Sequence, residues 1–307
     1  MRPSMQHILL WMPEIGGSVL TIGIYPNMEK TGITDVVCQV ADYLIERGAR
    51  VLLPQDFATA CDRPMLAADR DIMMRQINLG ITLGGDGTIL HVARELAQAK
   101  IPVCGINMGN LGFLTAAELS ELQPALDKLL TGDYLVEERM MLVATVLRQG
   151  ETIFSATALN DVVMTNSASP RLIRLNVYVD EELIAGYPAD GFILATSTGA
   201  TGYSLSAGGP VVSPHVEAMI LTPICPHTLY SRALVVSRQE TVEVRPQSPE
   251  EIVALTIDGK SNFCMIFGDA LKVTESPEKA RLVRFNDKSY YQTLHRKLRR
   301  GEIDATS

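Results

Sequence analysis

No apolar stretch of this chain approaches the roughly 18 residues that a bilayer-spanning helix needs. The short run from His7 to Met12 has no small-residue cleavage site behind it, so neither an anchor nor a leader is expected. Positive charge is also short: 27 Lys and Arg against 35 Asp and Glu leave a formal net charge of -8. A general nucleic-acid binder needs a basic face to displace counterions, so that class is set aside, whereas a small phosphorylated ligand needs only local positive charge. The five cysteines, at 38, 61, 104, 225 and 264, include no Cys-x-x-Cys pair. Such a dispersed, odd set reads as reduced core thiols of a cytoplasmic protein. The five histidines show no zinc spacing, so no protein-built metal site is expected. There is no internal repeat and no low-complexity segment. Neither a Walker Gly-Lys-Ser/Thr nor a Gly-x-Gly-x-x-Gly fingerprint is found.

What is present fits two domains. A length of 307 residues with 47% hydrophobic and 20% charged residues is ample for a large core. From Val19 to about Gly132 the pattern alternates strand and helix. Apolar runs at Val19–Tyr25, Val51–Leu53, Ile81–Leu83 and Ile101–Asn107 are separated by helical spacing over Thr34–Arg47, from Thr88 to about Gln98, and over Glu118–Leu130. Phe57–Arg75 reads as a loop and a short helix. Alternation of this kind implies a parallel sheet whose ligands bind at the carboxyl ends of the strands. After about Glu138 the runs Leu142–Val146, Ile153–Leu159, Ile173–Val179, Ile193–Ala195, Leu234–Val236, Thr241–Val244 and Val253–Ile257 are short, β-rich and proline-punctuated. The expected architecture is therefore a Rossmann-like α/β domain over 1–138 and a mainly β, sandwich-like domain over 139–284. The basic amphipathic helix expected at Tyr290–Arg300 belongs to a segment, 285–307, that joins the first domain or meets a partner subunit.

Gly84-Gly85-Asp86-Gly87-Thr88 follows one of the strands. The three glycines remove Cβ atoms and permit φ > 0, so a phosphate can approach bare main-chain N–H groups. Thr88 suits the start of the next helix, whose positive end faces the same turn. Asp86 repels the phosphates it would neighbour, so it reads as a base or a magnesium contact rather than an affinity device. The plainer alternative is a tight strand-to-helix turn with Asp86 as a cap. A second glycine-rich turn, Met108 to Leu114, also ends a strand. Residues Asp190–Pro210 concentrate hydroxyls and glycines able to meet sugar hydroxyls and phosphates while a flat ring lies close to the backbone. As composition alone, this is also a connecting loop. Asn160-Asp161 closes a strand and reads by itself as a turn.

Taken in order, Gly84–Thr88, Gly105-Ile106-Asn107-Met108-Gly109 with Leu111-Gly112-Phe113-Leu114, Glu138–Leu142, Leu159-Asn160-Asp161, Asp190–Pro210 and Thr222-Pro223-Ile224-Cys225-Pro226-His227 resemble the NAD kinase family over residues 79–260. The resemblance implies phosphorylation of the adenosine ribose 2′-hydroxyl of NAD by ATP or polyphosphate, with Mg2+ or another divalent ion, in a cytoplasmic homodimer or homotetramer. By that likeness Asp86 is the general base, and Gly84, Gly85, Gly87 and Thr88 hold phosphates. Asn107 belongs to the binding set, and Phe113 lies along the adenine. Asn160 and Asp161 meet ribose hydroxyls, while Thr201, Tyr203 and Ser206 bind the adenosine end, and Thr198 and Gly202 belong to the binding set. Asp190 reaches the nicotinamide side from a neighbouring subunit, with Cys225 and His227 lining that pocket. The chain departs from the family's pattern in having Asp161 for Glu. It also has Ser197, Ala200 and Gly202 in the hydroxyl loop, and Lys260 after Asp258-Gly259. Gly202 and the missing proline are expected to loosen the loop.

Two rivals remain at this point. A lipid kinase of the diacylglycerol or sphingosine type shares the glycine turn but needs an apolar tunnel or a basic membrane face, and no such patch is evident. A non-catalytic NAD sensor would bind NAD without phosphate transfer.

Overall fold

A computed structural model describes residues 8–9, 19–109, 112–167, 172–228, 231–285 and 289–303. Asn110 and Leu111 of the second glycine turn, and most of the His7–Met12 run, lie outside them. Two compact units divide the chain: residues 1–138 with 280–307, and residues 139–279.

In the first unit the strands lie in the order Ala67–Ala68, Arg50–Pro54, Thr21–Pro26, Leu79–Gly84, Val103–Asn107, Ala280–Arg284, Leu135–Arg139 and Ile8–Leu9. The pairs from Ala67–Ala68 through Ala280–Arg284 are parallel. Thr21–Pro26 and Leu79–Gly84 are buried along their whole length, as expected of strands covered by helices on both faces. The helix Ile33–Glu46 lays Ile33, Val37, Val40, Ala41 and Leu44 on the sheet, the three-and-four spacing that its sequence shows. Gly48 follows it at φ +84, a left-handed position suited to glycine. From Thr21–Pro26 the chain winds outward to Arg50–Pro54 and Ala67–Ala68. It then returns to place Leu79–Gly84 on the other side, which makes a topological switch between Thr21–Pro26 and Leu79–Gly84.

The expected boundary at 284 is corrected. Ala280–Arg284, read from sequence with the β domain, pairs Leu282 with Val103 in the first sheet. The Phe57–Arg75 stretch, expected as a loop and a short helix, overlaps two helices, Gln55–Ala60 and Arg70–Gln76.

The second unit contains two antiparallel six-stranded sheets. One runs Glu151–Ala158, Leu142–Arg148, Asp269–Glu275, Val242–Pro246, Ile173–Val179, Glu182–Ala189; the other Leu234–Ser237, Ala218–Ile224, Gly191–Thr196, Asp161–Asn166, Val253–Ile257, Lys260–Met265. Alternate residues of both, among them Leu142, Val146, Leu175 and Val244 from one and Met164, Phe192, Leu194 and Leu221 from the other, form one core. Gly191–Thr196 is buried on both faces. Its Ile193 and Ala195 join Val163, Ile220 and Ala200 in a second cluster on the outer side. Ala200 thus draws the hydroxyl-rich loop across the sheet, a packing reason for an apolar residue within a polar run.

Cys61 and Cys104 are buried and Cys38 is half-buried, whereas Cys225 and Cys264 are exposed. The expectation of five core thiols therefore fails for two of them. The exposed pair occupy a strand end and a sheet edge, where no core covers the side chain.

Candidate active site

In the first unit, Gly84 ends one parallel strand and pairs with Asn107 at the end of the next, so both glycine turns emerge from the same edge of the sheet. The Asn107 amide donates to the Gly109 carbonyl at 2.9 Å. The helix begins at Asp86 itself, with Gly85 in the capping position and no side-chain cap. This corrects the expectation that Thr88 opens the helix, since Thr88 lies inside the first turn. None of Gly84, Gly85 and Gly87 has a positive φ, so the glycines are there for space. A Cβ on Gly84 would collide with the Thr88 hydroxyl, whereas Cβ atoms on Gly85 and Gly87 would meet nothing within 4 Å. The backbone above those two residues is open to an incoming group.

Asp86 is held from across the turn. Its Oδ2 accepts from the Phe113 N–H at 2.8 Å and its Oδ1 from the Leu114 N–H at 3.1 Å. A carboxylate has about four lone-pair positions, so each oxygen keeps capacity for a proton or a cation. The carbonyls of the same segment are clamped from behind by Arg284. One guanidinium nitrogen donates to Leu114 and Thr115 oxygens at 3.0 and 3.1 Å, and the other to Phe113 at 3.0 Å. Its Nε is tied to Glu137 at 3.0 Å. Gly112 lies under the acid, and a Cβ there would overlap Asp86 Oδ1 and sit 2.7 Å from Oδ2. The Phe113 ring is covered by the C-terminal helix Tyr290–Ile303: the Tyr290 ring is 6.0 Å away and the Lys297 ammonium 4.6 Å. That helix, left open by the sequence between the first domain and a partner, packs on the first unit.

In the second unit the hydroxyl loop and the Asn160-Asp161 turn come together. The Thr196 N–H donates to the Asn160 carbonyl at 2.8 Å, and the Thr196 hydroxyl to that of Leu159 at 2.6 Å. Thr201 Oγ1 donates to the Thr198 carbonyl at 3.2 Å. An added Cβ at Gly202 would lie 3.5 Å from Asn160 Nδ2 and 3.9 Å from Asp161 Oδ2. The Asn160 side-chain oxygen is buried without a hydrogen-bond partner among the described residues, an acceptor waiting for a donor. Asp258 organises this turn, its carboxylate accepting from the N–H groups of Leu159, Asn160 and Asp161 at 3.0, 2.8 and 3.1 Å. Burial, reinforced by the Asp258 charge, pushes the Asp161 carboxyl up to about 7. Tyr203 and Ser206, one turn apart on a short helix, both face solvent. Ser197, where the family has proline, bonds its hydroxyl to the Val216 carbonyl. The loop is therefore tied down at the place where loosening was expected.

Asp190, Cys225 and His227 are all exposed at the other end of the strand pair Gly191–Thr196 and Ala218–Ile224. There the Asp190 N–H donates to Ile224, and the His227 N–H to Pro188. At about 3.3 Å per strand residue they stand on the order of 20 Å from the Thr196 end. Lys260 is exposed at the start of its strand. Sequence reasoning named neither Gly112 nor Arg284 nor Asp258 as site residues. The glycine-rich turn was a signal for Gly112; Arg284 meets partners about 170 residues earlier in the chain and has no local signature.

An acid seated where phosphate oxygens would dock has little use in a protein that merely retains an anion. With a Rossmann-ordered sheet behind it, it defines a nucleotide-dependent phosphotransferase. The comparisons agree. The ATP-NAD kinase N-terminal domain matches residues 22–134 and the ATP-NAD kinase C-terminal domain residues 159–285. The chain is 46% identical over 280 residues to an NAD kinase of Moorella thermoacetica, covering 91% of this chain and 89% of that one. It is 39% identical over 282 residues to an NAD kinase of Natranaerobius thermophilus, covering 92% and 99%. Among solved structures, yeast NADH kinase complexed with NADH superposes with a TM-score of 0.80 at 26% identity, covering 89% of this chain and 84% of that one. An Archaeoglobus fulgidus NAD kinase in complex with ATP gives 0.72 at 26%, covering 91% and 99%. The chain belongs to the NAD kinase family.

Proposed function

We propose that this chain transfers a phosphoryl group from ATP or polyphosphate to the 2′-hydroxyl of the adenosine ribose of NAD, giving NADP. The observation that carries the proposal is Asp86, an acid on the first residue of a helix beside two glycines whose backbone is uncovered. The first unit handles phosphate and the second recognises NAD. Asp86 accepts the 2′-hydroxyl proton as the new P–O bond forms, while the Gly84–Thr88 amides hold the transferred group. The Asn160 side-chain oxygen accepts from a ribose hydroxyl, which resolves its buried, unmatched lone pair. Among the described residues no three His, Cys, Asp or Glu side chains gather into a metal site. The donor set is one carboxylate, which fits magnesium brought in on donor phosphates. Held at the Asp86 carboxylate, that ion would supply neutralisation of the phosphate charge. Incubation with NAD, magnesium and either ATP or polyphosphate should yield NADP; no NADP with either donor would reject the activity.

Asp190, Cys225 and His227 stand too far along the sheet to share a pocket with Thr198 of the same copy. We assign them to NAD held by a neighbouring copy in a homodimer or homotetramer. Free thiols throughout fit the reducing cytoplasm as its place of action. Among the described residues, no helix is long and apolar enough to cross a membrane.

Two expected outcomes belong to the NAD-binding half. Asp161 is protonated below about pH 7, and a charged acceptor is worth about 1 kcal/mol more to a hydroxyl than a neutral one. The KM for NAD should therefore fall about fivefold from pH 6 to pH 8, and Asp161→Asn should flatten that profile. The same raised value favours the fold at low pH: the contribution is complete below the usual carboxylate range and is lost as pH rises through about 7. Gly202 has φ -95, outside the left-handed region, and an added methyl group meets the Gly199 backbone oxygen at 3.3 Å, a tight contact that the loop relieves by a shift of a few tenths of an ångström. Gly202→Ala should restrict the loop by about 0.4–1 kcal/mol and lower the KM for NAD about two- to fivefold; steady-state kinetics showing a higher KM would count against a loosened loop.

A further inference from the structure

Two of the five thiols meet in the first unit, and phosphoryl transfer gives neither of them a role. Cys38 lies within the helix Ile33–Glu46, and Cys61 directly follows the short helix Gln55–Ala60. The Cys38 thiol is aimed at that helix end: it donates to the Cys61 carbonyl at 3.9 Å, across 23 residues of sequence. Cys61 is 4% exposed and belongs to the core, whereas Cys38 is half-buried, so of the pair only Cys38 is open to a small reagent. A third side chain joins them. Arg63 is hydrogen-bonded to the Cys38 sulfur and also to Asp42, whose Oδ2 it reaches at 2.8 Å, and both partners favour its charged form.

A cation beside a sulfur stabilises the negative charge that the sulfur carries when it attacks. Burial, with the Cys38 charge added, pushes the Cys61 thiol up, so Cys61 keeps its proton while its partner reacts. The division is that of a redox pair, one accessible sulfur that attacks and one sheltered sulfur that resolves. We propose that Cys38 and Cys61 form a reversible oxidation site, converted by a peroxide to a disulfide, with Arg63 activating Cys38. The Cys38 sulfur attacks one peroxide oxygen, the O–O bond breaks, and the departing hydroxide takes the thiol proton to give water and a Cys38 sulfenic acid. The Cys61 sulfur then displaces that hydroxyl: the S–S bond forms, the S–O bond breaks, and the Cys61 proton leaves in a second water. Two electrons pass from the sulfurs to the peroxide. What must give is the end of a six-residue helix, where Asp62 already takes a left-handed φ of +52, so the longer helix keeps its place. Cellular thiols reverse such a bond, as a reducing compartment requires. Cys104 offers no comparable site, because complete burial pushes its thiol up to about 12.

Peptide mapping tests the assignment without reference to kinase activity. The full chain, reduced and then exposed to hydrogen peroxide, should on digestion without reductant yield the Cys38 and Cys61 peptides joined, two hydrogens lighter than their sum. Dithiothreitol should restore both thiols. In Cys61→Ser the resolving sulfur is gone, so Cys38 should be trapped by dimedone as a sulfenic acid; in Cys38→Ser, Cys61 should remain a thiol. Arg63→Gln should slow formation of the bond about tenfold in the folded protein, and not at all in urea, where the guanidinium no longer meets the sulfur. Cys38 and Cys61 both still open to alkylation after peroxide has oxidised the exposed Cys225 and Cys264 would overturn the proposal. So would Cys38 joined to any other cysteine, or a folded Arg63→Gln protein that forms the bond at the wild-type rate.

Discussion

Asp86→Asn is expected to lower kcat for NADP formation by about 10²- to 10⁴-fold while leaving the affinity for NAD, measured by calorimetry, within about twofold of wild type. The amide has nearly the same shape but cannot take a proton from the acceptor hydroxyl. The surroundings add a second consequence. Both carboxylate oxygens accept main-chain N–H groups, from Phe113 and Leu114, and an amide presents one oxygen and one NH2. The NH2 must face a donor, which costs about 1–3 kcal/mol and should appear as a lower melting temperature with the fold retained. Turnover close to wild type in a folded Asp86→Asn protein would dismiss Asp86 as the base. Loss of both turnover and NAD affinity would point to collapse of the segment behind it, and the base assignment would then lack support.

The parts of this molecule legible in its sequence are those whose cause is local. The helix Ile33–Glu46 and its glycine stop, the strands Ile173–Val179 and Val253–Ile257, and the two glycine turns follow from periodicity and turn chemistry within a few residues. Strands that escaped notice obey longer-range causes. Ala218–Ile224 includes Pro223, which reads as a loop signal, yet it is buried along its length and paired with Gly191–Thr196. Glu182–Ala189 exposes Leu183 and Ile184 and holds its place by pairing with Ile173–Val179. Ala280–Arg284 joins a sheet whose other strands precede it by more than 140 residues. The candidate site divides along the same line. Asp86 and the hydroxyl loop announce themselves by composition. Arg284 and Asp258, which hold main-chain segments bearing the site residues, are a common arginine and a common aspartate until the chain is folded.

Gly112 offers the sharpest way to ask whether the position of the acid, rather than its presence, is what the fold supplies. Any Cβ at this residue overlaps Asp86 Oδ1 and comes within 2.7 Å of Oδ2. The carboxylate cannot simply swing aside, because both oxygens are bonded to N–H groups of the next two residues along the same segment. That segment is fastened on its carbonyl side by Arg284. Gly112→Ala must therefore push the acid off its amides or drag the segment off the arginine, a shift on the order of 1 Å, and a misplacement of that size can cost about 10²-fold in rate. The expected result is a kcat lower by about two orders of magnitude; the NAD-binding residues of the second unit are untouched, so any change in NAD affinity is confined to what displacement of Phe113 costs. Gly109→Ala, in the same turn but with nothing within 4 Å of its added methyl, should leave kcat within about twofold and serves as the control. Combined with Asp86→Asn, Gly112→Ala should add little further loss, since two changes that disable one group are not additive. Multiplied effects in the double variant, or a Gly112→Ala enzyme with wild-type kcat, would show that catalysis does not depend on where this carboxylate is held.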